Sequence, residues 1–386
     1  IKVKSSLQAL KDMALLYRNN LDIKVVGITG SVGKTSTKET ISYVLNKKYK
    51  VLKTEGNFNN EIGLPLTVFR LRDDDEVAVL EMGISDFGEM DRLSKIAQPD
   101  ISVITNIGLC HLENLKTRDG ILKAKTEIFN NMKPDGIAIL NGDDDKLITV
   151  DEVNGKKPER FGINYKDGVY AKDIENLGLS GTKFVISGLN CVDGCKDFEV
   201  TVPVPGHHMI YNALAAACVG AALELTSAQI ADGIADLKTI SGRNNIIKTS
   251  KYTLIDDCYN ANPVSMKASV DVLDMAIGRK VCILGNMYEL GENEKNLHYD
   301  VGQYIGTKNI DVLITIGDLA RHIAMGTDDY METHFGSYDC EIHSFDDMEE
   351  FNMAYSSILK DNDNILIKAS HAMKFADIVE LLSKDN

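Results

Sequence analysis

The sequence predicts an α/β chain in two parts. A central domain is built on a mostly parallel sheet with a small antiparallel insert, and a smaller doubly wound α/β domain follows. Three observations carry this. From Ile23 to about residue 140, short apolar runs alternate with segments of helical periodicity, the pattern of buried parallel strands joined by crossover helices. Between Phe161 and Val204 the texture changes to short β-rich runs separated by Gly, Asn and Asp. After a break at Thr239–Asn245 (TISGRNN) the alternation resumes. At 386 residues two or three domains are expected. The breaks suggest a lead-in helix or linker over residues 1–20, a central domain over 21–240 and a C-terminal domain over 241–386.

Taken in order, residues 5–19 have helical periodicity. The apolar run Val25, Val26, Ile28 reads as the first strand, and Ile41, Val44 and Leu45 mark the helix after it. Further strands are expected at Val77–Leu80, Ile101–Thr105 and Ile137–Leu140, with helices around Phe87–Ala97 and Gly120–Asn131. Lys183–Ile186 and Phe198–Val202 belong to the insert, and an alanine-rich helix follows from His208 to Glu224, then a shorter one over Ser227–Asp236. The second series has strands at Tyr252–Ile255, Lys280–Leu284, Val312–Ile316 and Ile365–Ile367, and helices near Ser265–Ala276, Leu297–Gly306, Met348–Leu359 and Ala372–Leu382.

The stretch Lys24–Glu39 (KVVGITGSVGKTSTKE) places a glycine-rich turn between a strand and a helix, the context of a phosphate-binding loop. Its spacing is TGxxGKT, with Ile28 where the longer form of the motif has its first glycine. Gly30 and Gly33 let the backbone curl with its N–H groups turned inward. With Ser31, Val32 and Ser36 they form the expected phosphate cradle at a helix N-terminus. Lys34 would reach the β- and γ-phosphates and the Thr35 hydroxyl would ligate magnesium.

Composition excludes other classes. The charge is −15, from 42 Lys and Arg against 57 Asp and Glu, which argues against nucleic acid and anionic membrane as partners. No apolar run approaches the ~20 residues of a membrane span, and no signal peptide is read. The seven cysteines are scattered, as expected of reduced thiols in a cytoplasmic protein.

Several clusters follow predicted strands, where an α/β site is built. Glu81 (VLEMG) is a natural magnesium ligand, although a helix cap would need the same carboxylate. His111 (TNIGLCHLEN) could join it as a second metal ligand. By composition, Lys123 and Lys125 read as solvated helix lysines. Asn57, Asn59 and Asn60 (NFNNEIG) offer directional amide hydrogen bonds in a loop or simply a turn-rich connector. His207 and Asn212 open the alanine-rich helix (GHHMIYNALAAA), and an asparagine amide can read the edge of adenine. Asp256, Asp257, Asn260 and Asn262 (LIDDCYNANPVSM) repeat the strand–polar loop–helix pattern in the second domain.

In this order TGSVGKT, NFNNEIG, LEMG, ITNIGLCH, the KAK helix, NGDD, GHHMIYNALAA, SGR and DDCYNANPVSM resemble the Mur ligases over essentially the whole chain. NFNNEIG, YNANP and GNMYELGE (Gly285–Glu292) are most similar to the branch that adds D-alanyl-D-alanine. The resemblance implies a P-loop central domain and a Rossmann-like C-terminal domain. The family's N-terminal UDP-sugar-binding domain has no counterpart in these residues. It also implies a cytoplasmic, monomeric ligase of peptidoglycan precursor synthesis. ATP would phosphorylate the carboxylate of a UDP-muramoyl tripeptide, and the amine of D-Ala-D-Ala would attack the acyl phosphate.

On this resemblance Thr35, Glu81 and His111 hold two Mg²⁺ ions together with Lys125, which is carbamylated. Lys34, Glu81, His111 and Lys125 form the catalytic set. His207 and Asn212 contact adenine, Arg243 and Asp257 reach phosphate and ribose when the second domain closes, Asn57, Asn59 and Asn60 bind substrate, and Asn260, Asn262, Tyr288 and Glu289 lie near the dipeptide. The chain departs from the family at Lys368–His371, where KASH replaces KGSR, and at His208, where asparagine is usual. Two alternatives stand beside this expectation: a Mur-type ligase for another carboxylate and amine, of folate or polyamide type, and an ATP-binding switch that does not ligate.

Overall fold

Strands that are apolar on successive residues must be covered on both faces, and the computed structural model shows such coverage. It describes residues 2–335 and 340–384; Ile1, residues 385–386 and residues 336–339, which fall within the expected domain spans, lie outside the described residues. The chain divides into two compact units. One takes in the residues up to Asn176, Thr182–Pro203 and His207–Leu237. The other takes in Leu177–Gly181, Val204–Gly206 and the chain from Lys238 onward.

The first unit runs α1 (Ser6–Asn19), β1 (Lys24–Thr29), α2 (Lys34–Leu45), β2 (Val51–Lys53), α3 (Gly63–Val68), β3 (Val77–Glu81), α4 (Glu89–Ala97), β4 (Ile101–Ile104), α5 (Leu112–Leu115), α6 (Arg118–Thr126), β5 (Ile137–Asn141), β6 (Glu159–Gly162), β7 (Val169–Asn176), β8 (Thr182–Ser187), β9 (Asp197–Val202), α7 (His208–Ala222) and α8 (Ser227–Ala235). Its nine strands form one sheet in the order β2-β3-β1-β4-β5-β6-β7-β8-β9. Pairing is parallel as far as β7 and antiparallel from β7 to β9. The antiparallel part is therefore an extension of the main sheet. From Thr182 to Ile186 of β8 buried and half-buried residues alternate, as they do in an antiparallel sheet with one face toward water.

Register places the edge that matters. Ile28 of β1 lies beside Glu81 of β3, and Thr29 lies beside Ile104 of β4. The turn after β1, the end of β3 and the segment after β4 thus leave one edge of the sheet together. That is the carboxyl edge, where open α/β sheets bind ligands.

The second unit contains β10 (Asn245–Lys248), β11 (Thr253–Asp256), α9 (Pro263–Asp274), β12 (Lys280–Gly285), α10 (Glu294–Gly306), β13 (Val312–Ile316), α11 (Arg321–Phe335), β14 (Glu341–Phe345), α12 (Met348–Ile358), β15 (Asn364–Lys368) and α13 (Ala376–Lys384). Its sheet order is β10-β11-β15-β12-β13-β14, parallel except for the β10–β11 pair. Among the described residues no helix is long and apolar enough to cross a membrane.

Candidate active site

The loop between β1 and α2 is shaped by two glycines and held by the segment after β4. Gly33 caps α2 with a φ of 84°, a left-handed conformation that costs other residues energy. At Gly30 a Cβ would stand 1.9 Å from Thr105 Oγ1, so no side chain fits. Thr105 Oγ1 donates to Val32 O at 2.7 Å. The Asn106 amide pairs with both sides of Val32, accepting from its N–H and donating to its carbonyl at 2.9 Å each. Ser31 Oγ accepts from Gly108 N–H at 2.9 Å. Lys34 folds onto the loop and donates to Gly30 O at 2.8 Å. Thr35 and Ser36 are half-buried on the first turn of α2.

Glu81 ends β3 almost fully buried. Its N–H donates to Thr54 Oγ1 at 3.0 Å, and its Oε1 accepts from Asn59 Nδ2 at 2.8 Å. Its Oε2 is buried and has no hydrogen-bond partner; Lys38 Nζ lies 3.8 Å away. A buried carboxylate oxygen without a hydrogen bond is costly, and the chemistry that would satisfy it is a hard cation. Among the described residues no three His, Cys, Asp or Glu side chains come together as a ready-made cage. A carboxylate and a hydroxyl suit Mg²⁺ when substrate phosphates complete its shell, so Glu81 and Thr35 fit the group; an imidazole is a softer ligand for it.

His111 has a left-handed backbone, with φ 50°. Burial, then the charges of Lys125 and Lys34, push its pKa down to about 4, which leaves the ring neutral and able to donate a lone pair to a metal at ordinary pH. Lys125 lies on the buried face of α6 with Ile121 and Ala124. Burial above all, then Lys34, lowers its pKa to about 7, with Cys110 pulling weakly the other way. The bland reading of Lys125 as a solvated helix lysine is thereby corrected: it is 1% exposed, and no carboxylate acts to keep it charged.

Asn212 is buried in α7 against α2. Its Oδ1 accepts from Thr37 Oγ1 at 2.9 Å, and its Nδ2 lies 3.2 Å from Met209 Sδ, so both ends of the amide are engaged. His207 stands exposed before α7, its ring edge-on to Tyr211 at 6.2 Å. Asn57 is exposed. Asn60 Oδ1 accepts from Ile62 N–H and Gly63 N–H, at 3.1 and 2.9 Å, and so holds the entry to α3.

In the second unit, two adjacent carboxylates grip the backbone around Arg243. Asp256 Oδ2 accepts from Gly242 N–H at 2.7 Å, and Asp257 Oδ1 from Asn244 N–H at 3.1 Å. The Arg243 guanidinium lies 4.0 Å from the centre of the Tyr259 ring, whose other neighbour is His371 at 5.6 Å. Asp257 is also tied to Lys368 Nζ at 2.7 Å and Ser269 Oγ at 2.5 Å. Asn260 accepts from Lys368 Nζ through its carbonyl at 2.9 Å. Asn262 caps α9 through Ser265. Tyr288 is exposed, its hydroxyl 3.3 Å from Asn286 Nδ2 and 3.0 Å from Met373 Sδ. Glu289 is exposed and left-handed, with φ 64°.

The sequence reading gave no role to Lys38, Thr54, Thr105 and Asn106, and named Lys368 only as the start of the segment that departs from the family. Thr105 and Asn106 had a usable signal, since polar residues directly after a buried strand belong to the site edge. Thr54, after a three-residue strand, had none.

The chain matches the family model for the Mur ligase middle domain over residues 28–220, and that for the glutamate ligase domain of Mur ligases over residues 242–371. It is 38% identical over 383 residues to the UDP-N-acetylmuramoyl-tripeptide–D-alanyl-D-alanine ligase of Bacillus subtilis, covering 98% of this chain and 80% of that protein. Its fold is similar to that of MurF from Acinetobacter baumannii, with a TM-score of 0.89 at 30% identity over 100% of this chain and 82% of the other. MurF ligase from Thermotoga maritima in complex with ADP aligns with a TM-score of 0.85 at 31% identity, over 100% and 85% of the two chains.

Proposed function

The chain belongs to the Mur ligase family, and from that premise we propose that it joins D-alanyl-D-alanine to a UDP-N-acetylmuramoyl tripeptide, driven by ATP cleavage. It is an amide-forming ligase of peptidoglycan precursor synthesis. The tripeptide carboxylate takes the γ-phosphoryl group, the dipeptide amine attacks the acyl phosphate, and phosphate leaves as the amine gives up its proton. Lys34 and the N–H groups of Gly30–Ser36 stabilise the charge on the transferred phosphoryl group. Before ATP arrives, Lys34 holds the loop through Gly30 O, and the phosphates take that place.

Glu81, Thr35, His111 and a carbamylated Lys125 are the residues that would hold Mg²⁺. When bound, the cation supplies neutralisation of phosphate charge. The observation that carries this reading is Lys125. A buried lysine brought to about 7 is substantially neutral at cellular pH, and a neutral amine is the form that adds carbon dioxide. Carbamylation adds carbon dioxide to the neutral amine, with loss of one proton, and gives an anion that Lys34 attracts where the ammonium form would be repelled.

Asn212 and His207 are assigned to the adenine end, and Arg243 and Asp257 to phosphate and ribose. Asn212 is fixed by Thr37, and Asp257 by Asn244, Ser269 and Lys368, which supplies the rigidity such contacts need. Asn57, Asn260, Tyr288 and Glu289 are assigned to substrate. Asn59, Asn60 and Asn262 shape the loops that carry these contacts. The same reading makes the protein a cytoplasmic monomer acting on small molecules.

Phosphate release from MgATP with UDP-muramoyl tripeptide, with and without D-Ala-D-Ala, tests the function. Release that needs both substrates, with a new amide in the mass spectrum, is the expected result. Turnover indifferent to the dipeptide would overturn it.

A further inference from the structure

Lys38 has no part in the mechanism above, yet it is among the most deeply buried large side chains in the molecule, at 1% exposure. It lies one turn beyond Lys34 on α2, so the helix that presents one lysine to the phosphate loop points another beneath the end of β3. Its Nζ donates to Thr54 O at 2.8 Å and lies 3.2 Å from Glu39 Oε1. Glu39 in turn pairs with Lys53. Thr54 connects both sides, since its hydroxyl receives the Glu81 N–H at 3.0 Å. Glu81 Oε1 is taken by Asn59. Its Oε2, which has no hydrogen bond, faces Lys38 Nζ at 3.8 Å.

That separation is informative. A buried carboxylate with no nearby cation would be strongly destabilising. A hydrogen-bonded ion pair would occupy the lone pairs a metal needs. At 3.8 Å the charge of Lys38 is felt while Oε2 keeps its lone pairs free of a hydrogen bond, and Thr54 O and Glu39, both nearer to the ammonium, hold it back.

We propose that Lys38 is a positioning residue, a resident counter-cation for Glu81. It balances the carboxylate while the divalent cation is absent and opposes that cation's binding alone, so that metal enters and leaves with nucleotide phosphates. The proposal rests on the reading of Glu81 as a metal ligand.

Mn²⁺ binding to the full chain, with and without ADP, followed by electron paramagnetic resonance, tests it. Lys38→Gln removes the charge and retains an N–H donor on a side chain one atom shorter. In the parent, Mn²⁺ alone should bind weakly and ADP should tighten it strongly. In Lys38→Gln, Mn²⁺ alone should bind about tenfold tighter, and the gap between the two conditions should narrow. Mg²⁺ without nucleotide should raise the melting temperature of Lys38→Gln more than that of the parent. Glu81→Gln should lose the metal response in both backgrounds.

Equal Mn²⁺ affinity in parent and Lys38→Gln, with loss in Glu81→Gln, would overturn the role of Lys38 alone. Undiminished binding in Glu81→Gln would overturn the metal reading beneath it. Should Lys38→Gln fail to fold, the parent still decides: Mn²⁺ affinity that is the same with and without ADP refutes the proposal.

Discussion

Lys125 is the residue at which sequence and environment disagree most. A lysine on a helix is ordinarily solvated, but here Ile121, Ala124 and Lys125 share the buried face of α6. That face was readable, because the spacing from Ile121 places Lys125 inward and Lys123 outward. What could not be read was the cost. Burial and Lys34 bring its pKa to about 7, so the ammonium is favoured only below that pH and the neutral amine above it. Lys125→Ala should therefore abolish ligation, and a short carboxylate such as formate should restore part of it by taking the place of the carbamate. Full activity without rescue, in the phosphate-release assay, would remove Lys125 from the site. The turn after β1 and the strand end at Glu81 were legible as positions for a simpler reason: strand, polar turn and helix follow one another in the sequence. Asn59 on Glu81, Asn106 on Val32 and Lys368 on Asp257 act across 22, 74 and 111 residues, where spacing carries no information.

At the scale of elements, α1 shows how a helix read as a lead-in is fastened to the first unit. Arg18 donates to the carbonyls of Ala97, Leu21 and Ile23, Tyr17 to that of Leu71, and Lys11 to Glu61 at 2.7 Å. Glu61 receives Arg92 of α4 through both oxygens, at 2.6 and 3.1 Å. Arg92 first, then Lys11, lower its pKa from 4.5 to about 2 against the opposing effect of burial. A carboxylate depressed in the folded state stabilises fully above its unfolded value and loses that contribution as pH falls through the folded one. Glu61→Gln should cost about 1–2 kcal/mol near neutral pH, discounted for the exposure of Arg92. The difference from the parent should shrink between about pH 4.5 and 2, as urea midpoints at several pH values would reveal; a constant difference would mean the hydrogen bonds matter and the charge does not. The strongly apolar strands and α7 were legible because burial on all sides leaves a composition signal. β2, α3, α11 and β14 were not. β2 is three residues at a sheet edge, α3 carries Pro65 in its first turn, and β14 has no fully buried residue, so none shows a clean period.

At the scale of the whole molecule, each unit has its own core. One extends from Ala14 to Val153 through the residues around β1, β3 and β4; the other gathers Tyr252, Ile283, Ile314, Phe351, Ile367 and Leu382. Chains with separate cores need not unfold in one step. Lys368 gives a way to ask whether this one does. It is 2% exposed and donates to Asp257 Oδ2, to Asp257 O and to Asn260 O, fastening β15 to the loop after β11. Lys368→Met would leave Asp257 buried without its ammonium partner, held by Ser269 and the Asn244 N–H. Removing one partner of a buried ion pair costs about 3–5 kcal/mol, because the remaining charge stays buried without compensation. That is a large share of a single domain's stability, so its consequences should map onto the cooperative unit that owns it. In hydrogen exchange, amides of β11, β12, β13 and β15 should lose protection while those of β1, β3 and β4 keep theirs, since both members of the broken pair belong to the second unit. Adding Asp257→Asn should recover part of the loss by removing the orphaned charge. Equal loss of protection in β1 and β15 would instead make the two cores one cooperative body.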